Sequence, residues 1–66
     1  MTENEIEYRR RVVGVPMSML ALRAGLPYSR VWHGLRGTKL SADELKKLAT
    51  AVEAFERVNH TVAAAV

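Results

Sequence analysis

The stretch from Met17 to Gly37, MSMLALRAGLPYSRVWHGLRG, constrains the fold of this chain most strongly. Apolar side chains recur at one-turn spacing before Gly25, which predicts a short helix with one buried face. They are Met17, Leu20, Ala21 and Ala24. Gly25 can adopt the left-handed backbone that ends a helix, and Pro27 has its φ preset for the first turn of another. The sequence therefore predicts two short helices joined by a tight turn.

The second of these helices, predicted from about Tyr28 to Arg36, divides into two faces when about 100° is allowed for each residue. The face expected to pack against the rest of the chain carries Tyr28, Val31 and Leu35. The opposite face carries Ser29, His33 and Arg36, with Trp32 at the boundary. Gly34 is expected where a larger side chain would strike the preceding helix.

These residues resemble the helix-turn-helix of the lambda-repressor and Cro-like (XRE-type) DNA-binding family. The family pattern places an apolar-Ala pair four residues before the turn glycine, an apolar residue after it, and a Val or Ile six residues after it. The matching residues here are Leu20, Ala21, Gly25, Leu26 and Val31, with Gly37 matching a glycine that closes the second helix. The resemblance extends from about Glu5 to Phe55. Met17 and Gly34 depart from the pattern, which often has Gln and an aliphatic residue there, and Leu35 is expected to compensate for Gly34.

The resemblance implies an all-α fold, a compact domain of four to five helices with a central helix-turn-helix. It implies a DNA-binding domain over residues 1–58, followed by an apolar tail over residues 59–66. It further implies a sequence-specific regulator of transcription that binds double-stranded DNA, such as a small repressor of a phage or mobile element. One such domain reads few base pairs, so a homodimer on two half-sites about one helical turn apart is expected.

Motif position and helical face together identify the candidate contacts with DNA. The helix at about residues 28–36 is expected in the major groove, because an α-helix fits there within reach of base edges. The expected base contacts are Tyr28, Ser29, Trp32, His33 and Arg36, of which Arg36 can meet either a guanine or a phosphate. The expected phosphate contacts are Arg23, Arg30, Thr38 and Lys39.

The distribution of charge along the chain agrees with this interpretation. The formal net charge is only +3, but every acidic residue lies outside the window from Tyr8 to Ala42. The basic residues inside that window are Arg9, Arg10, Arg11, Arg23, Arg30, Arg36 and Lys39. This segregation predicts a positive surface centred on the motif, to which the three consecutive arginines also contribute phosphate contacts.

A further helix is expected before the motif, from about Glu3 to Val13. Thr2 and Glu5 fit a capping box at its start, and Gly14 and Pro16 mark its end. Its expected core contacts are Ile6, Val12 and Val13, and Val15 is expected to be buried in the connection.

The chain after Gly37 predicts one long amphipathic helix. Ser41 and Glu44 fit a second capping box. The apolar stripe behind it is Leu45, Leu48, Ala49, Val52 and Phe55. A break near Val58 or Asn59 is compatible with the resemblance. Beyond it, the uncharged tail either frays or buries Val62 and Val66 against a second copy of the chain.

Composition excludes several other classes of protein. The 66 residues allow one domain, and a chain of this size buries only about 60% of its unfolded surface, so a partner would help its stability. The chain has no cysteine and two histidines far apart in sequence, which predicts no disulfide, no metal site and no cofactor. It lacks a glycine-rich phosphate loop and any catalytic spacing, so an enzyme is not expected. No apolar run approaches the length of about 18 residues that would suggest a membrane span. No signal-peptide pattern is present, and a cytoplasmic protein is expected.

Two other functions agree with parts of the sequence. A DNA-binding antitoxin would use the same motif and neutralise a toxin with its tail. A small helical adaptor would instead bind a protein through Met19, Leu22, Trp32 and the C-terminal valines, because Met19 and Leu22 point away from the buried stripe. The adaptor predicts weak, sequence-independent binding to DNA.

Overall fold

The structure is a computed structural model that describes residues 1–65, with side chains described for residues 1–58. Its four helices are α1 (Glu3–Val13), α2 (Met17–Ala24), α3 (Tyr28–Leu35) and α4 (Ala42–Ala65). Residues 1–65 contain no strand, which confirms the all-α prediction with four helices. α4 passes through positions 58 and 59 without the break that was considered there. The expected contacts of Val62 and Val66 lie outside the described side chains.

The predicted ends of α1 and α2 are confirmed in atomic detail. Thr2 Oγ1 accepts the N–H of Glu5 at 3.2 Å. At the end of α2, Gly25 has the left-handed φ of 72°, and the N–H of Leu26 donates to the carbonyl of Ala21 at 3.1 Å. This six-to-one bond is the signature of a Schellman turn, which satisfies carbonyls that the helix leaves free.

All helices contribute to one core. The largest fully buried side chains are Ile6, Leu20, Val31, Leu48 and Val52. Val15 in the α1–α2 connection is also buried, as predicted. The expected core contact of Val12 is wrong, because its side chain is 67% exposed. Val13 packs against the core in its place, since it lies almost two full turns after Ile6 and so shares its face.

The connection between α3 and α4 is more deeply buried than its sequence indicated. Leu40, which lies outside the apolar stripes predicted from the sequence, is 3% exposed. It lies against Gly34, where an added Cβ would approach its Cγ to 2.5 Å and its Cδ1 to 2.8 Å. The expectation that Gly34 faces the preceding helix is therefore wrong. The residue that occupies the space beside it is Leu40, whereas Leu35 fills its own buried position.

α4 begins with the predicted capping box. The N–H of Glu44 donates to Ser41 Oγ at 3.1 Å, and the N–H of Ser41 donates to Glu44 Oε1 at 2.9 Å. Behind this cap, the predicted stripe buries Leu48 and Val52 completely and leaves its other members partly buried. No helix in the described part of the chain has the length and apolar character needed to cross a membrane.

Candidate nucleic-acid interface

α3 follows α2 after a three-residue turn, Gly25 to Pro27, which is the spacing of a helix-turn-helix. The carbonyl of Pro27 accepts the N–H of Val31 at 3.2 Å and so joins the turn to the first turn of α3. The inner side of α3 is fixed by burial, with Val31 at 0% and Leu35 at 5% exposure. Its other side is thereby held toward solvent.

The residues predicted to contact bases share this outward side, which we call the outer face of α3. It consists of Tyr28, Ser29, Trp32, His33 and Arg36. Trp32 is half-buried and the other four are exposed. At about 100° per residue the five positions span an arc of only about 140°. The helix therefore presents all five to the same side.

Tyr28 corrects one part of the prediction. It was placed on the packing side with Val31 and Leu35, but its side chain is 52% exposed. The reason is that Gly34 is buried as well, which centres the buried arc near Val31. Tyr28 then falls at the edge of that arc, in the first turn of the helix, and its ring remains accessible.

Trp32, His33 and Arg36 form a contact cluster on the outer face. The guanidinium carbon of Arg36 lies over the Trp32 ring, 4.3 Å from its centroid. The His33 ring meets the same indole edge-on, with centroids 5.0 Å apart and planes at 85°. The sequence predicted each of these three residues as a separate base contact. Their one-turn spacing, Trp32 to Arg36, was the signal that could have predicted the contact.

Three of the four predicted phosphate contacts are open to solvent: Arg23, Thr38 and Lys39. Arg23 lies in the last turn of α2, while the other two follow α3. The N–H of Thr38 donates to the carbonyl of His33 at 3.0 Å, which ties this short segment to the end of α3. Among the side chains of residues 1–58, no carboxylate pairs with Arg23 or Lys39.

Arg30 departs from the expectation that it contacts phosphate. Its Nε and one terminal nitrogen each donate to Glu44 at 2.7 Å. This hydrogen-bonded Arg30 guanidinium, helped by the backbone N–H of Ser41, lowers the pKa of the Glu44 carboxyl to about 2. Arg30 therefore joins α3 to the start of α4, and a phosphate would have to compete with an ionised carboxylate for it. Glu44, fourteen residues away, gave no local signal of this role.

The arginines of α1 are also engaged by carboxylates. Arg9 Nε donates to Glu56 of α4 at 2.8 Å. Arg10 and Arg11 both donate to Glu7, and Arg10 also donates to the carbonyl of Val15 at 2.8 Å. A phosphate would therefore have to compete with a carboxylate for each of these three arginines. The basic segment is less positive in the folded protein than the sequence indicated. Glu7, Glu44 and Glu56 lie outside that segment in sequence, but each pairs with an arginine inside it.

A separate apolar cleft of about 400 Å³ lies between α2 and α4, lined by Met19, Leu22, Arg23 and Phe55. Met19 and Leu22 are 46% and 75% exposed, in agreement with the prediction that they point away from the buried stripe. None of the residues lining this cleft belongs to the outer face of α3. The cleft and the predicted phosphate contacts nevertheless share Arg23.

Histidine and carboxylate side chains are the groups that could hold a metal ion in this chain, which lacks cysteine. The described residues include no group of three or more histidine, aspartate or glutamate side chains placed to hold a metal ion. Comparison of the chain with protein-family models, with curated proteins and with solved structures gives no match.

Proposed function

We propose that this protein is a sequence-specific regulator that binds double-stranded DNA, with the outer face of α3 in the major groove. The observation that carries the proposal is the division of α3 into a fully anchored side and a solvent-facing side. Val31 is completely buried, whereas Ser29, His33 and Arg36 are exposed on the other side. A rigid helix that offers donors, acceptors and aromatic edges to solvent suits base edges in a groove wide enough to admit it.

Within this proposal the exposed residues have two roles. Tyr28, Ser29, Trp32, His33 and Arg36 contact base edges. Arg23, Thr38 and Lys39 contact phosphates, which positions α3 without selecting a sequence. Arg30 acts through its ion pair with Glu44 and holds α3 relative to α4.

The proposal includes a homodimer. A helix of eight residues reaches only a few base pairs, so useful specificity calls for two half-sites about one helical turn apart. The exposed apolar side chains of α2, Met19 and Leu22, offer surface for such an association. A small DNA-binding domain of this kind suits a repressor of a phage or mobile element, which would act in the cytoplasm where the DNA is.

Selection of bound sequences from a random duplex pool tests this proposal. Wild-type protein should enrich a palindromic motif, and the Ser29→Ala/His33→Ala/Arg36→Ala variant should not. The matched control is Lys46→Ala/Thr50→Ala, which removes a cation and a hydroxyl from the exposed side of α4 and should enrich the wild-type motif. Circular dichroism establishes that each variant is folded. Failure of wild type to enrich any motif would contradict the proposal.

The apolar cleft supports a second candidate, an adaptor that binds a protein helix. Met19, Leu22 and Phe55 would receive the apolar side chains of such a helix. This candidate predicts that the wild-type chain captures a protein from the native host and that Leu22→Asp abolishes this capture. It also predicts that the wild-type chain enriches no motif from a random duplex pool. Enrichment of a motif that Leu22→Asp leaves unchanged would contradict it as the main function.

A further inference from the structure

Arg36 is held in an unusual way for a residue at the end of a helix. It caps the C-terminus of α3, where a long side chain can extend freely into solvent. Instead, its guanidinium carbon lies 4.3 Å from the centroid of the Trp32 ring, one turn back along the helix. This contact brings the positive charge over the middle of the outer face.

The guanidinium of Arg36 also differs from those of Arg9, Arg10 and Arg30 in the groups that it contacts. Arg9, Arg10 and Arg30 each donate to a glutamate. Within residues 1–58, whose side chains are described, no carboxylate pairs with Arg36. A guanidinium carries five N–H donors in a planar fork. The indole contacts the guanidinium as a cation–π partner, and a ring of this kind offers no lone-pair acceptor for the in-plane donors.

The position of the fork distinguishes between two ligands. A phosphate lies on the wall of the groove, which an arginine at a helix end reaches by extending outward. A guanine presents its N7 and O6 acceptors on the floor of the major groove and accepts two parallel hydrogen bonds from an arginine. With the outer face of α3 docked in the groove as proposed, a guanidinium held over that face lies nearer the floor than the wall.

We propose that Arg36 reads a guanine and that Trp32 is the positioning residue that holds the guanidinium for this contact. The inference rests on the proposed function and adds the identity of one base and the residue pair that selects it. Trp32 acts through preorganisation, because a side chain already restrained in the free protein loses less rotamer freedom on binding. Its half-buried ring provides a surface that is itself restrained.

Selection from a random duplex pool with four matched variants tests the inference. Wild type should enrich a motif with an invariant guanine in each half-site, and Arg36→Ala should lose the preference at that position only. Trp32→Leu keeps apolar volume without an aromatic face and should lose the same preference although Arg36 is present. Trp32→Phe keeps a ring and should retain it. Arg36→Lys, which has no planar fork, should resemble Arg36→Ala.

Affinity measurements on the recovered duplex give the size of the effect. Replacing the guanine pair by an adenine pair should weaken wild type and Trp32→Phe roughly 10-fold or more, the usual loss of a bidentate contact. The same replacement should change the affinity of Arg36→Ala and Trp32→Leu by less than about twofold. A protein that merely lost stability would bind both duplexes worse by the same factor, so the ratio isolates positioning.

The outcomes separate this inference from the proposed function. If wild type enriches no motif, both fail together. If it enriches a motif that Arg36→Ala leaves unchanged, the regulator stands and the guanine assignment is overturned. If Arg36→Ala weakens binding equally to all sequences, Arg36 contacts phosphate. If Trp32→Leu keeps the guanine preference, Trp32 has no positioning role.

Discussion

Gly34 shows how a single residue joins the core to the proposed DNA-binding surface. It lies in the last turn of α3 and is buried against Leu40. Leu40 in turn is almost inaccessible at 3% exposure, so it has little room to move. The missing side chain at Gly34 thus allows the α3–α4 connection to pack directly on the helix.

Substituting alanine for Gly34 should destabilise the protein, although alanine is the better helix former. The gain in helix propensity is about 0.5–1 kcal/mol. The added Cβ would meet Leu40 Cγ at 2.5 Å, and overpacking of a core commonly costs about 1–3 kcal/mol. We therefore expect a net loss of about 1–2 kcal/mol in the free energy of unfolding, measured by urea titration.

Two further variants test the cause of that loss. Ser29→Ala, on the outer face of the same helix, should leave the free energy of unfolding nearly unchanged. Gly34→Ala/Leu40→Ala should be less unstable than the sum of its two single variants, because each substitution relieves the other. Additive losses would show that the two side chains do not compete for space.

At the scale of helices, the sequence predicted what is encoded locally. The side-chain caps that start α1 and α4, the glycine that ends α2 and the buried stripes follow from residues within a few positions of one another. Contacts between helices did not follow from such patterns. Arg30 and Glu44 are separated by 14 positions and Arg9 and Glu56 by 47, and their pairing depends on how the helices approach one another.

The ion pair of Arg30 and Glu44, which joins α3 to α4, predicts a specific dependence of stability on pH. The pKa of Glu44 is lowered from 4.5 to about 2, chiefly by its hydrogen bonds from Arg30. A carboxyl whose pKa is lower in the folded state stabilises that state fully above its unfolded pKa and loses this effect as pH falls. The contribution of Glu44 should therefore disappear between about pH 4.5 and pH 2.

Glu44→Gln isolates this contribution, because its amide oxygen can still accept the N–H of Ser41. The variant should be less stable than wild type at pH 7, and the two unfolding free energies should converge as pH falls toward 2. Glu53→Gln, an exposed substitution on the same helix, should give a curve parallel to wild type. A constant difference between Glu44→Gln and wild type across this range would contradict the assigned role of the ion pair.

In the folded molecule, the positive surface is smaller than the number of basic residues in the sequence suggested. Arg9, Arg10, Arg11 and Arg30 hold carboxylates, so the proposed interface depends on a smaller set. The sequence identified Ser29, His33 and Arg36 correctly as sharing one accessible side, because helical periodicity determines that, but it placed Tyr28 on the packing side. It could not identify which cations are paired, since that depends on tertiary contacts.

Arg23 should act as a contact that carries no sequence information. Arg23→Ala should weaken binding to every duplex by a similar factor and reduce the slope of log affinity against log salt by about 0.9. Lys46→Ala, an exposed cation on α4, should leave the slope unchanged. Affinities measured at several salt concentrations on a selected and a scrambled duplex would test this. A change of preferred sequence in Arg23→Ala would contradict its assignment to phosphate.

The location of the DNA-binding surface is the central claim, and nuclear magnetic resonance tests it most directly. ¹⁵N-labelled protein would be titrated at low salt with a duplex of about 20 base pairs, which accommodates two half-sites. We predict that the largest shifts occur along the outer face of α3 and at the Trp32 indole N–H, with smaller shifts at Arg23 and Thr38. Shifts confined to the cleft of Met19, Leu22 and Phe55, with α3 unchanged, would contradict the account.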